Sequence, residues 1–246
     1  MTLLFNLTVP PDRSRSGVDA LLELDELEKP LPFELKSSTR ESISTVRDFG
    51  PEHIAKWKKL HWLFAFYDRE ASRARVCYYA SPADMADWIN DKERYVRPDL
   101  VLANSAPQLI SSDLLTQVLG PGDTFTADDA RRIMKMQWSS QQYRDGADLP
   151  GQLYSRGRMI ELLRERCAYV IRRGATLNNP HIPGSYLSSR LEAITRDHAA
   201  TLRRLVRSYL ADREARLVAG ETPQEDCLDP VVAAQAGTGE PGESPG

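Results

Sequence analysis

The chain has 246 residues, 41% of them apolar and 27% charged, the balance expected of a globular protein with one large domain or two small ones. No window approaches about 18 consecutive apolar residues, so a membrane-spanning helix is not expected. The formal charge of −3 is unevenly spread: residues 1–130 carry 15 Lys and Arg against 21 Asp and Glu, residues 131–216 carry 17 against 8, and the remainder carries none against 6.

The start, MTLLFNLTVPPDRSRSG, has no basic stretch before its short apolar run, so a cleaved secretory signal is not expected. Cys77, Cys167 and Cys227 are too scattered for a disulfide framework or a zinc site, and the cytoplasm is the expected compartment. The basic stretch is rich in Arg, whose planar guanidinium suits bidentate contact with phosphate. The plain alternative is a solvated, ion-paired helix surface.

In chain order, residues 17–37 read as a β-hairpin: GVDALLEL, a DELEKP turn, and LPFELKSS with Pro32 near its start. A helix opens at Gly50-Pro51, with proline at its first position. HWLFAFYD reads as a buried central strand and RARVCYYA as its neighbour. Ser81 and Asp84 cap a helix running to about Arg94, and RPDLVLAN suits a short strand. From Ser111 the pattern is helical. SSDLLTQVLG ends at Gly120; Thr126 and Asp129 open DDARRIMKMQWSSQQY; residues 154–173 carry the stripe Met159, Leu162, Leu163, Cys167, Val170 and Ile171, with Gly174 as C-cap; one long helix covers roughly Tyr186 to Leu217. From Ala219 the chain is rich in Gly, Pro and Glu and reads as disordered. The expected organisation is an α/β core over 1–110, a mainly helical, basic half over 111–218 in the same compact domain, and a disordered acidic tail over 219–246.

Asp19, Glu34 and Lys36 concentrate the chemistry. Residues i and i+2 of a strand share a face, so Glu34 and Lys36 sit side by side. A hairpin closing symmetrically about DELEKP pairs Leu24 with Leu31 and Asp19 with Lys36, which puts all three groups on one face. A slip of one residue would move Asp19 to the other face. Two carboxylates beside a lysine suit phosphodiester hydrolysis assisted by Mg²⁺, which takes oxygen ligands. The ion polarises the phosphoryl oxygen, and the lysine orients water or neutralises developing charge. The Leu35 carbonyl is a further candidate ligand. A surface ion pair is the alternative for a bare Glu-x-Lys.

GVDALLELDELEKPLPFELKSST resembles the active-site hairpin of PD-(D/E)XK nucleases, and type II restriction endonucleases most closely. The pattern is an Asp, a variable gap, and Glu-x-Lys on the next strand; Asp19, Glu34 and Lys36 match it, and Val18 stands where the motif usually has proline. The helix–strand continuation STVRDFGPEHIAKWKKLHWLFAFYD is similar as well, and the resemblance covers about residues 13–68. It implies a restriction-endonuclease-like core with a mixed central sheet flanked by helices. It also implies Asp19, Glu34 and Lys36 as catalytic residues, Mg²⁺ held by Asp19, Glu34 and Leu35, and double-stranded DNA as substrate.

Contacts to DNA are expected from Ser37, Ser38, Thr39 and Arg40 after the lysine, and from Arg47, His53 and Lys56 around the Gly50-Pro51 helix. Gln141, Arg144, Arg156, Arg158, Asn178 and Asn179 are candidates for reading bases or holding phosphates. For each of them a polar helix end or loop is the alternative. No phosphate-binding loop or dinucleotide fingerprint is present, so no nucleotide cofactor is expected. Palindromic restriction sites favour a two-fold symmetric protein, so a homodimer is expected. Two other readings stay open: a repair or junction-resolving nuclease with the same core, and a non-enzymatic DNA-binding protein.

Overall fold

The computed structural model describes residues 1–11, 17–135 and 137–236. Its elements, in order, are α1 (Thr2–Phe5), β1 (Ala20–Leu22), β2 (Leu31–Ser38), β3 (Ser42–Ser44), α2 (Pro51–Trp57), β4 (His61–Tyr67), β5 (Ala74–Ala80), α3 (Pro82–Ser105), α4 (Ser112–Leu119) and β6 (Thr124–Phe125). They continue as α5 (Ala127–Met134), α6 (Ser140–Gly146), β7 (Tyr154–Ser155), α7 (Arg156–Gly174), β8 (His181–Pro183), α8 (Gly184–Ser188), β9 (Ala193–Ile194), α9 (His198–Val218) and α10 (Pro230–Ala236). The fold is mixed α/β and about half helical. No described helix is long and apolar enough to cross a membrane.

The chain divides into two compact units, one made of Met1–Tyr95 with Leu177–Gly246 and the other of Val96–Thr176. This differs from the expected division at residue 110. Residues after Leu177 return to the first unit because β8 pairs with β3 and β9 pairs with β5. Leu202 and Val206 of α9 also enter the same core as Phe33, Leu63 and Tyr79.

The first unit is built on a five-stranded sheet in the order β1-β2-β4-β5-β9. Only β2 and β4 are parallel; the other neighbours are antiparallel. The run HWLFAFY forms central strand β4, buried from His61 through Phe66, as its unbroken apolar character demands. Pro32 is accommodated because the backbone of its partner Leu21 bonds to Thr8 instead, at 2.8 and 2.9 Å, and because β4 begins pairing only at Phe33.

The second unit packs Leu115, Phe125, Ala130, Ile133, Tyr143, Tyr154, Met159 and Leu162 together. Ser111 caps α4, and the Thr126–Asp129 pair expected to open a helix forms a reciprocal capping box on α5.

Four elements differ from the sequence reading. RPDLVLAN is helical, the continuation of α3, because Val96, Leu100 and Ala103 make a buried stripe of helical spacing. The helix through DDARRIMKMQWSSQQY is two helices. Lys135 ends the first in a left-handed conformation (φ 54°), and Ser139 starts the second with its own capping box; Met136 lies outside the described residues. The long Tyr186–Leu217 helix is broken, since Ala193–Ile194 joins the sheet edge against Cys77 and Tyr78 and buries Ile194. Gly174 is the last residue of α7, and Ala175 follows it as the cap.

The acidic tail is also structured as far as residue 236. A 3-10 turn at Gln224–Asp226 and helix α10 bury Glu225, Val232 and Gln235. Residues 237–246 lie outside the described residues. Apolar periodicity is a poor guide here because the segment is anchored by polar groups: Lys58 Nζ donates to the Cys227 carbonyl, and Asp229 N–H donates to Glu93.

Candidate active site

The hairpin forms with its pairing offset by two residues from the symmetric closure. Leu22, not Leu24, faces Leu31. An even offset, unlike a slip of one residue, keeps the paired side chains Ala20, Leu21 and Leu22 on their expected faces; Asp19 falls outside the paired segment. Asp19 lies just before β1. Its N–H donates to the Phe33 carbonyl at 3.1 Å, and its carboxylate accepts the N–H of Leu35 at 2.9 Å. Asp19 is therefore fixed to the edge of β2 by the backbone of Phe33 and Leu35, not opposite Lys36. In a strand the N–H and C=O of one residue point the same way, so the Leu35 carbonyl faces this edge as well.

Glu34 is 5% exposed. Its Oε1 is 2.7 Å from Lys36 Nζ, the i,i+2 neighbour on the same face. Its Oε2 lies 3.6 Å from Lys56 Nζ on α2 and is buried with no hydrogen-bond partner among the described residues. Lys56 Nζ donates instead to the Gly17 carbonyl at 2.7 Å. Lys36 Nζ also lies over the Trp57 ring, 5.5 Å from its centroid. Two ammonium groups thus flank one buried carboxylate. Sequence reasoning places Lys56 near DNA and misses its place beside Glu34; its position three residues after His53, on a helix following the Glu-x-Lys strand, is the only signal there.

His53 is half-buried between Phe49 and Trp57, at centroid distances of 6.3 and 5.4 Å. Burial pushes its imidazole pKa below the usual value, and Lys56 and Lys36 push it further the same way. It is therefore neutral at pH 7, not a cation available to phosphate.

Asp19, Leu35, Ser37, Ser38, Thr39 and Arg40 line an open groove of about 920 Å³ together with Ser42, Ser44, Tyr67 and His181. Ser37, Thr39 and Arg40 are exposed, while the Ser38 hydroxyl accepts the Arg40 N–H at 2.9 Å. β3 and β8 form one wall of this groove. Their pairing continues through Thr45–Pro180 and Asn179–Val46 hydrogen bonds to the Phe49–Leu177 bridge. Asn178, Asn179 and Arg47 are exposed on that extension, and Asn179 adopts a left-handed conformation (φ 47°) that asparagine tolerates.

The remaining candidates belong to the second unit, and two of them are committed to holding it together. Arg156 donates to Ser112, Gly122 and Thr116. Arg158 donates to the Gly146 carbonyl and pairs with Glu161 and Glu165. Gln141 and Arg144 are exposed on α6 and bond to each other at 2.6 Å. This unit carries eleven Lys and Arg against nine Asp and Glu, a net of +2, so it does not hold the whole basic excess. Elsewhere Arg207 pairs with Glu26, and Arg213 and Arg216 with Glu225, acidic groups outside the basic stretch.

Asp19, Glu34 and the Leu35 carbonyl offer oxygen donors only, and one Glu34 oxygen is buried with no hydrogen-bond partner among the described residues. These groups fit a hard divalent cation that completes its shell with other oxygens. Among the described residues no three His, Cys, Asp or Glu side chains gather as a metal cluster, so an all-side-chain cage of the zinc type is not formed. Residues 12–16, where the family resemblance begins, lie outside the described residues. A scan against protein-family models and a search of curated proteins each found no match.

Proposed function

We propose that the protein is a Mg²⁺-dependent endonuclease that hydrolyses phosphodiester bonds of double-stranded DNA at specific sites, in the manner of type II restriction enzymes, and works as a homodimer. The observation that carries the reading is the buried Glu34 carboxylate, held by Lys36 on one oxygen and without a hydrogen bond on the other, beside an Asp19 fixed to the same strand edge. The helix and strand after Glu-x-Lys, part of the family resemblance, correspond to α2 and to β4 parallel to β2.

Asp19, Glu34 and the Leu35 carbonyl would hold the ion. Bound there, Mg²⁺ supplies Lewis-acid polarisation and charge neutralisation at the scissile phosphate. The hydrogen bond from Leu35 N–H orients the Asp19 carboxylate, and the Glu34 contact orients Lys36. The Lys36 ammonium then stabilises negative charge developing on the phosphoryl oxygens. Ser37, Thr39 and Arg40 line the groove shared with Asp19 and Leu35, which Glu34 and Lys36 do not line, and would donate to the DNA backbone.

The test is cleavage of plasmid and long linear DNA with Mg²⁺. Discrete fragments are expected, abolished by EDTA and reduced by a factor of about 100 or more in Asp19→Asn, Glu34→Gln and Lys36→Met, with DNA binding in Ca²⁺ retained. Wild-type turnover in all three variants, or no cleavage of any duplex by the wild type, would overturn the reading. Nicks or cuts confined to branched DNA would assign the same core to repair or junction resolution.

A further inference from the structure

We propose that Lys56 is a built-in counter-cation for Glu34 that competes with the divalent ion and so sets the metal affinity of the site. The inference rests on the nuclease reading and deepens it. A buried carboxylate is costly unless its charge is matched. Lys36 matches Glu34 through a direct contact at Oε1. Lys56 adds a second positive charge 3.6 Å from Oε2, beyond hydrogen-bond length.

The reason for that spacing is on the other side of the ammonium, where Lys56 donates to the Gly17 carbonyl at 2.7 Å. Glu34 Oε2 therefore receives charge compensation while its lone pairs stay unused. That is the arrangement of an acceptor kept ready for a cation. The same lysine ties the segment leading into Asp19 to the helix that carries it. A divalent ion on Oε2 would lie close to this ammonium, and like charges at such a distance repel in a partly buried site. The protein trades metal affinity for a folded site that is stable before metal arrives.

The experiment is calorimetric titration of Mg²⁺ into the metal-free full chain without DNA, for the wild type, Lys56→Met, Lys56→Arg and Glu34→Gln. Methionine keeps the apolar stem and removes the charge. Lys56→Met is expected to bind Mg²⁺ about tenfold more tightly than the wild type, a change of about 1.4 kcal/mol. Lys56→Arg keeps the charge and is expected to bind as the wild type does, and Glu34→Gln is expected to lose binding at the site. Thermal melting checks that each chain is folded; if Lys56→Met is not, Lys56→Gln carries the same comparison. Wild-type binding with equal or weaker affinity in the charge-removing variant would overturn the role of Lys56 and leave the nuclease reading standing. No Mg²⁺ binding by any of the chains would overturn both.

Discussion

Lys58 donates to the Glu93 carboxylate in the protein interior, joining the residue after α2 to α3. Both side chains are buried, and each holds the C-terminal segment as well, Lys58 through the Cys227 carbonyl and Glu93 through the Asp229 N–H at 2.8 Å. A buried ion pair broken on one side leaves an uncompensated charge, a loss of about 3–5 kcal/mol. Glu93→Ala should therefore cost about that much in urea unfolding, and the double variant Lys58→Met with Glu93→Leu should recover most of it. Removing residues 221–246 should lower stability too, since it strips the Cys227 and Asp229 contacts and the buried Glu225 and Val232. An unchanged melting temperature on truncation would contradict this.

The buried His61 makes stability depend on pH. It lies 2.7 Å from the Tyr79 hydroxyl and against Phe33, and burial pushes its pKa down to about 4. The unfolded chain, with an ordinary histidine near 6.5, takes up the proton first as pH falls. Stability from this group is complete above pH 6.5 and is lost progressively toward pH 4, by on the order of 3 kcal/mol. Chemical denaturation from pH 7 to 4 should show that slope, and it should flatten in His61→Gln.

On the proposed nuclease reading, arginines should separate into structural and DNA-facing groups. Arg156→Ala removes hydrogen bonds to Ser112, Gly122 and Thr116 and should destabilise the protein by about 2 kcal/mol, with the salt slope of DNA binding unchanged. Arg40, exposed on the groove of the first unit, should behave in the opposite way. Its alanine variant should keep its stability and reduce the magnitude of the slope of log K against log salt by about one. Equal salt slopes in wild type and Arg40→Ala would remove Arg40 from the DNA interface.

Gly146 is required by packing. A Cβ there would fall 2.7 Å from the Trp138 ring, which is itself wedged against Tyr143 and beneath the Arg158 guanidinium. Gly146→Ala should cost about 1–3 kcal/mol and change the Trp138 fluorescence. An alanine variant of wild-type stability would show that the ring has room to move.

Several features of this protein are legible in its local chemistry. The span LPFELKSS is β2, as its composition suggests, Pro51 opens α2, and the Ser81–Asp84 and Thr126–Asp129 pairs cap their helices. In each case the signal and its cause lie within a few residues. The i,i+2 contact of Glu34 with Lys36 is legible for the same reason.

Other features depend on partners far along the chain. Ala193–Ile194 is a strand because Cys77 and Tyr78 offer it an edge; its own periodicity continues a helix. The acidic tail is ordered to residue 236 because Lys58 and Glu93 bind its backbone, which apolar patterning does not record. Arg156 is structural because Ser112 and Thr116 lie within its reach. Lys56 meets Glu34 only because the crossover from β2 to β4 lays α2 over that face. Short-range hydrogen bonds and strand alternation are written into neighbouring residues, and the presence of the hairpin, the caps and the Glu34–Lys36 pair follows from them, whereas the hairpin's register, offset by two residues, does not. The charge environment of the site and the use made of each arginine arise from contacts between distant segments, which meet only when the chain has folded.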